Sequence, residues 1–200
     1  FYPFFLAGLY RIGGHYLLAP LIVQAVVDSS VCLILFALCR RIFRKPTVGL
    51  IAALIYAGYG PSVFYTGIVL GVTLASSLLI LTILLLAPVR QDRSLRSAFP
   101  AGLIYGCCVL IRPNSLLLLP LFLIWITPGG LRKRPGRRWF YPPLFLAGFL
   151  IVLLPFSWRH YRITGNAALP FGNGGFNFYV GNHPGAGGTY TYLDGISNSP

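Results

Sequence analysis

Between Tyr16 and Cys39 the chain carries a single charged side chain, Asp28, and it then meets Arg40, Arg41, Arg44 and Lys45 in quick succession. A helix rising 1.5 Å per residue needs about 20 apolar residues to cross roughly 30 Å of hydrocarbon, so this run reads as a membrane span closed by a basic cluster. In lipid each backbone donor and acceptor must be satisfied within the segment, which restricts such a chain to helices. Composition agrees: 56% hydrophobic and 10% charged residues lie far from the averages of a water-soluble domain, and the mean hydropathy is +0.74. Sixteen Lys and Arg against three Asp and Glu give a formal charge of +13. In a soluble protein that excess would suggest nucleic acid. Here the basic residues sit between apolar runs rather than along one face, which excludes a nucleic-acid partner and points to membrane topology.

The second apolar stretch, Thr47 to Pro88, is about twice the length of a span, and Gly58, Tyr59, Gly60 and Pro61 interrupt it. It is expected to form two helices joined by an aromatic outer turn around Phe64 and Tyr65. A third block, Ala98 to Thr127, is broken by Arg112, Pro113 and Asn114, and Trp139 to Ser157 makes a final span. Three basic loops, 40–45, 90–96 and 132–138, hold twelve of the sixteen basic residues, leaving Arg11, Arg112, Arg159 and Arg162 on the other side. The positive-inside rule then places those loops in the cytoplasm and requires six crossings. The expected organisation is residues 1–15 as the end of an outer loop, 16–157 as an all-α polytopic bundle of about six spans, and 158–200 as the start of an outer segment. The chain starts at Phe1, lacks Met and stops in a Gly-rich polar stretch, so it is expected to be an internal piece of a longer protein.

Each arm of the Ala98–Thr127 hairpin has about 14 residues and rises about 21 Å, short of the hydrocarbon thickness. Its turn is therefore expected below the outer surface, covered by protein or lining a water-filled cavity. That makes Arg112 the most informative residue: a permanently charged guanidinium at that depth suits an anionic ligand such as phosphate, the alternatives being snorkelling or pairing with Asp28. Asp28, near the middle of the first span, is a secondary candidate, or else is protonated or paired with Gln24 and Ser29. Asn114 and His160 are further secondary candidates. From Ile163 to Gly188 glycine and asparagine are concentrated. Such a segment suits a phosphate or sugar through backbone amides and side-chain amides, or is an ordinary outer loop. The four cysteines lie inside apolar runs without metal-ligand or disulfide spacing and read as small buried hydrophobes. No metal site is spaced for coordination and no cofactor is implied, although a divalent metal could draw ligands from residues upstream of Phe1. Phosphate-loop, zinc-peptidase, hydrolase-elbow and kinase signatures are absent from the sequence.

The segments Phe1-Tyr-Pro-Phe-Phe-Leu-Ala, Cys39-Arg-Arg-Ile-Phe, Tyr65-Thr-Gly, Leu110-Ile-Arg-Pro-Asn and Trp158-Arg-His-Tyr-Arg-Ile-Thr-Gly, the last leading into Asn173-Gly-Gly-Phe-Asn-Phe-Tyr-Val-Gly-Asn, together resemble a family. The chain is similar to membrane glycosyltransferases of the GT-C superfamily, in the bacterial branch related to dolichyl-phosphate-mannose protein mannosyltransferases (family 39) and to the lipid A aminoarabinose transferase. The resemblance implies a GT-C-like transmembrane helix bundle with an outer Gly/Asn-rich loop region. It implies transfer of a sugar from a polyprenyl-phosphate carrier to a lipid, protein or glycan acceptor, with inversion, at the periplasmic or exterior face of the plasma (inner) membrane. It also implies that Arg112 and Arg159 contact the phosphate, that Asn173, Asn177 and Asn182 lie near donor or acceptor, and that the catalytic acid lies upstream of Phe1. Two positions depart from the family: Gly71 stands where relatives often carry Glu, and His160 where they often carry Asn. A transporter or flippase of a lipid-linked anion, or a non-catalytic relative, is the competing reading.

Overall fold

The computed structural model describes residues 2–14, 16–90, 96–127, 138–165, 178–179 and 181–182. Among them the chain is helical, without a strand: α1 Tyr2–Gly13, α2 Leu18–Phe43, α3 Pro46–Ala57, α4 Gly60–Thr66, α5 Val72–Arg90, α6 Ala98–Ile111, α7 Leu119–Ile126 and α8 Tyr141–Thr164, with 3-10 turns at Pro113–Leu118 and Arg138–Phe140. Its contacts divide it into two units, residues 1–154 and 155–200.

What is buried and what is exposed shows that lipid is the solvent. Gln24, Thr73, Ser77 and Thr82 are buried, whereas Leu33, Ile55 and Ile124 are each about 70% exposed (72%, 68% and 71%). A water-soluble fold would reverse the two sets. Helices α2 and α8 are each long and apolar enough to cross a membrane, and α3 with α4 form a bent apolar pair with 56° between them. Shorter apolar helices cover Val72–Ala87, Ala98–Ile111 and Pro113–Ile126. The chain is thus an all-α membrane bundle.

The break expected at 58–61 is present, but Phe64 and Tyr65 do not form a turn. They lie inside α4, because Pro61 near the helix start has the fixed φ and missing donor that a first turn accepts without loss. The irregular stretch comes later, at 67–71, where the backbone leaves helix before α5 begins. The stretch expected as the end of an outer loop is helix α1, and its Tyr2 hydroxyl donates to Gln24 Oε1 at 2.8 Å. The Gln24 amide nitrogen in turn donates to the carbonyls of Ile68 at 2.8 Å and Thr66 at 3.4 Å. Gln24 is 1% exposed, so it satisfies in the interior the backbone acceptors that the irregular stretch leaves open.

At the other end of α2, Arg44 adopts the left-handed conformation (φ 59°) and its N–H bonds the Arg40 carbonyl at 2.9 Å, closing the helix. That conformation costs an L-residue about 1–2 kcal/mol, and it turns the chain sharply into Pro46, the first residue of α3. The returning helix packs closely because Gly49 has no side chain: a Cβ there would sit 2.7 Å from the Phe36 carbonyl oxygen.

Helix α6 buries Ala98, Ala101, Gly102, Tyr105 and Val109, and α8 buries Tyr141, Phe145, Gly148 and Phe149, each set at the three- and four-residue spacing of one helix face. A Cβ on Gly102 would collide with the Phe145 carbonyl and one on Gly148 with the Phe99 carbonyl, while one on Gly106 would lie 2.9 Å from Val152 Cβ. Backbone against backbone is how membrane helices gain van der Waals contact where burial from water offers little. Around this seam Tyr105 stacks on Phe145 at 5.7 Å and meets Phe122 edge-on at 5.2 Å.

Two outcomes follow. Gly148→Val overpacks the α6–α8 seam and lowers stability by about 1–3 kcal/mol, while Gly8→Ala, at a helical glycine with nothing within 4 Å, leaves the thermal midpoint in detergent unchanged or raised. Gln24→Ala leaves the Ile68 carbonyl and the Tyr2 hydroxyl without their partner, costing about 1–3 kcal/mol, and hydrogen exchange at amides 67–71 accelerates while exchange in the middle of α6 does not change.

Candidate active site

The first turns of α5 bring three hydroxyl groups, Thr73, Ser76 and Ser77, into an apolar bundle. Val72 and Ser76 form the shared wall between two adjoining cavities.

One cavity, of about 430 Å³, is lined by Arg112, Asn114 and Ser115 opposite Ala75, Ser76 and Leu79. Its rim is the break between α6 and α7, located where the sequence places it. Arg112 is extended (φ −132°, ψ 93°); its N–H bonds the Cys108 carbonyl at 2.8 Å and its own carbonyl accepts from the Ser115 N–H at 3.0 Å. The buried Tyr105 hydroxyl donates to the Ser115 carbonyl at 2.6 Å, and Cys108 Sγ reaches the Ala75 carbonyl at 3.3 Å and Ser115 Oγ at 3.7 Å. Protein groups thus meet the Arg112 N–H and the carbonyls of Arg112 and Ser115, as an irregular stretch inside an apolar bundle requires. The exposed guanidinium of Arg112 and amide of Asn114 are left at the cavity mouth. Arg112 lines a cavity, one of the two settings expected for a turn at that depth.

The second cavity, of about 230 Å³, is lined by Tyr56, Tyr59, Ser62, Tyr65, Thr73 and Ser76. Behind it Asp28 Oδ1 accepts from the Tyr56 hydroxyl at 2.7 Å and the Ser62 hydroxyl at 2.6 Å, and those two oxygens are 2.9 Å apart. The pairing of Asp28 with Gln24 and Ser29 is corrected: Gln24 is drawn to the open carbonyls at 66 and 68, so two hydroxyls from α3 and α4 serve the carboxylate instead. Asp28 is the one acid among the described residues, and its partners here are Tyr56 and Ser62 rather than Arg112. Thr73 Oγ1 is buried without a hydrogen-bond partner, although Thr73 lines this cavity. An orphaned buried hydroxyl costs stability unless something else meets it.

Gly71 immediately precedes Val72, which lines both cavities. A Cβ there would lie 2.6 Å from Ile111 Cγ2 and 3.3 Å from the Tyr2 ring, so Ile111 and Tyr2 occupy the space a glutamate would need.

In the second unit, Arg159 is exposed and His160 half-buried in the closing turns of α8. The Arg162 guanidinium lies 6.0 Å over the Trp158 ring, and Trp158 lies 6.2 Å from Tyr161, an aromatic group of the kind that marks a membrane interface. Gly165, with φ +71°, closes the helix through its N–H to the Tyr161 carbonyl. Asn182 is exposed and uses its amide locally, donating to the Phe178 carbonyl at 2.8 Å. Asn173 and Asn177 lie outside the described residues. Among those residues no group of three or more His, Cys, Asp or Glu side chains comes together.

The sequence reading brought Arg112 and Asn114 to one cavity but left out Tyr56, Ser62, Thr73 and Ser76. Hydroxyls in an apolar helix are a weak signal, because most of them bond a carbonyl of their own helix. Their convergence depends on the α3–α4 bend, which local sequence does not specify.

Among curated proteins no match is found, and none among solved structures. A family model described as dolichyl-phosphate-mannose-protein mannosyltransferase matches residues 1–159, which include both cavities and the Arg112 turn. The chain belongs to that family of membrane glycosyltransferases.

Proposed function

We propose that this chain contributes the donor-phosphate site of an inverting glycosyltransferase, which moves a sugar from a polyprenyl-phosphate carrier to an acceptor at the outer face of the plasma membrane. The observation that carries this reading is the pairing of a cationic cavity, Arg112 with Asn114, and a hydroxyl-lined cavity, Tyr56, Ser62 and Thr73, across the Val72–Ser76 wall. A polyprenyl-phosphate sugar has the same sequence of parts: an anionic phosphate beside a polyhydroxylated ring. The six apolar segments are read as six crossings with the three basic loops in the cytoplasm, so both cavities open outward.

In this reading Arg112 holds the phosphate and takes up the charge that grows on it as the anomeric carbon–oxygen bond breaks. Its planar fork stands at the cavity mouth, on a turn that the Tyr105 hydroxyl holds. Thr73 meets a sugar hydroxyl and gains the partner it lacks, and Asp28 takes the protons of the Tyr56 and Ser62 hydroxyls, leaving their oxygens to accept from the ring. Asn114 adds an amide at the phosphate. Arg159, with His160 beside it, and Asn173, Asn177 and Asn182 are assigned to the donor or acceptor side of the outer segment. The general base comes from an acid upstream of Phe1 in the full-length protein.

Turnover of a polyprenyl-phosphate-linked sugar by the full-length protein in vesicles tests this. Arg112→Ala lowers kcat by about 100-fold, and Arg112→Lys, which keeps the charge but not the fork, recovers only part of it. Full turnover in the alanine variant would overturn the assignment. Thr73→Val removes the orphaned hydroxyl without changing shape, so the thermal midpoint holds or rises while KM for the donor increases several-fold. An unchanged KM would remove Thr73 from the site.

A further inference from the structure

At the opposite end of α5 a third cavity, of about 570 Å³, is lined by Arg40, Arg41, Arg44, Phe36, Ala37, Pro46 and Leu84. Leu84 lies 12 residues beyond Val72 on one helix, which at 1.5 Å per residue places this cavity about 18 Å along α5 from the outer pair. It belongs to the membrane face that carries the basic loops.

Topology alone explains why basic residues follow α2, but not their arrangement. Four cations occur between positions 40 and 45, and the three arginines line the cavity while Lys45 does not. The left-handed turn at Arg44 folds the chain directly into Pro46, so the closing turn of α2 and the start of α3 share one wall. Asp28, the one acid among the described residues, is already held by Tyr56 and Ser62. Two of the arginines complement the negative end of the α2 dipole, which amounts to about half a charge, so three full charges leave a cationic surplus in the cavity. The remaining walls are apolar: Phe36 and Ala37 one turn back along α2, and Leu84 across from them on α5. Guanidinium forks beside an apolar slot match an amphiphile with a phosphate at one end and hydrocarbon at the other.

We propose that this cavity binds a phosphate ester, with Arg40, Arg41 and Arg44 around the phosphate and the acyl chain of an anionic membrane lipid along Phe36, Ala37 and Leu84. The proposal is independent of the sugar-transfer reading, because it uses a different cavity and none of the same residues. An anionic lipid seated there ties the α2–α3 corner to α5 from the basic-loop side.

The test uses the full-length protein purified in detergent and native mass spectrometry of retained lipid, with phosphatidylglycerol, phosphatidylcholine and soluble glycerol phosphate as probes. Phosphatidylglycerol is retained in preference to phosphatidylcholine. Its apparent affinity falls by about fivefold for each charge removed in Arg40→Gln and Arg44→Gln. Lys45→Gln, which removes the same charge outside the cavity, leaves it unchanged. Leu84→Trp fills the apolar slot and lowers lipid retention with all arginines present, and circular dichroism confirms that each variant remains helical. Equal losses in Lys45→Gln and the arginine variants would overturn the proposal in favour of diffuse attraction, as would full retention in Arg40→Gln/Arg44→Gln. If glycerol phosphate binds as tightly as phosphatidylglycerol and Leu84→Trp affects neither, the lipid assignment is overturned and a soluble phosphate ester takes its place.

Discussion

The hydrogen bond from the Tyr105 hydroxyl to the Ser115 carbonyl ties the aromatic core of the bundle to the turn that carries Arg112. Tyr105 is fully buried and touches Phe122, Phe145 and Phe149, so its ring joins α6 to α7 and α8. Its oxygen completes the turn that carries Arg112. Without that donor the Ser115 carbonyl would lose its side-chain partner inside the bundle, where an unpaired backbone group is costly. Packing and site geometry are therefore the same interaction viewed from two ends: the aromatic cluster fixes the hydroxyl, the hydroxyl fixes the turn, and the turn presents the guanidinium.

The polar groups of the bundle follow one rule. Among the described residues the Gln24 amide serves the carbonyls of Thr66 and Ile68, the Tyr105 hydroxyl serves the Ser115 carbonyl, and the hydroxyls of Tyr56 and Ser62 serve the Asp28 carboxylate. Thr73 is the exception, and it lies on a cavity wall. Among the described residues it is the one buried side-chain hydroxyl left without a partner, and such an orphan asks for an explanation.

Much of the architecture was legible in the sequence, for a physical reason. Apolar length and basic loops report on the bilayer rather than on tertiary contacts, so the run from Tyr16 to Cys39, the interruption at 58–61 and the break at Arg112 could each be located from composition alone. The short helix through Phe64 and Tyr65 could not, because a proline at a helix start and one at a turn are written the same way. The glycines at 102, 106 and 148 were equally silent: their meaning lies in the backbone opposite them, as does that of Gly71 against Ile111 and Tyr2. Of the site, a lone charge such as Arg112 was visible because its cost is intrinsic to the residue. The Asp28 partners were not, since Tyr56 and Ser62 reach it from 28 and 34 residues away only after the chain has bent.

The side chain of Gln24 also constrains the order of events during synthesis. A ribosome delivers the chain from its N-terminus, so α2 and its amide enter the membrane about 40 residues ahead of the carbonyls of Thr66 and Ile68 that the amide serves. When that stretch is made, the donor for its acceptors has already been synthesised. A circular permutant that placed α2 last would have the same final bonds available, yet it would have to carry the unwound segment through insertion without them.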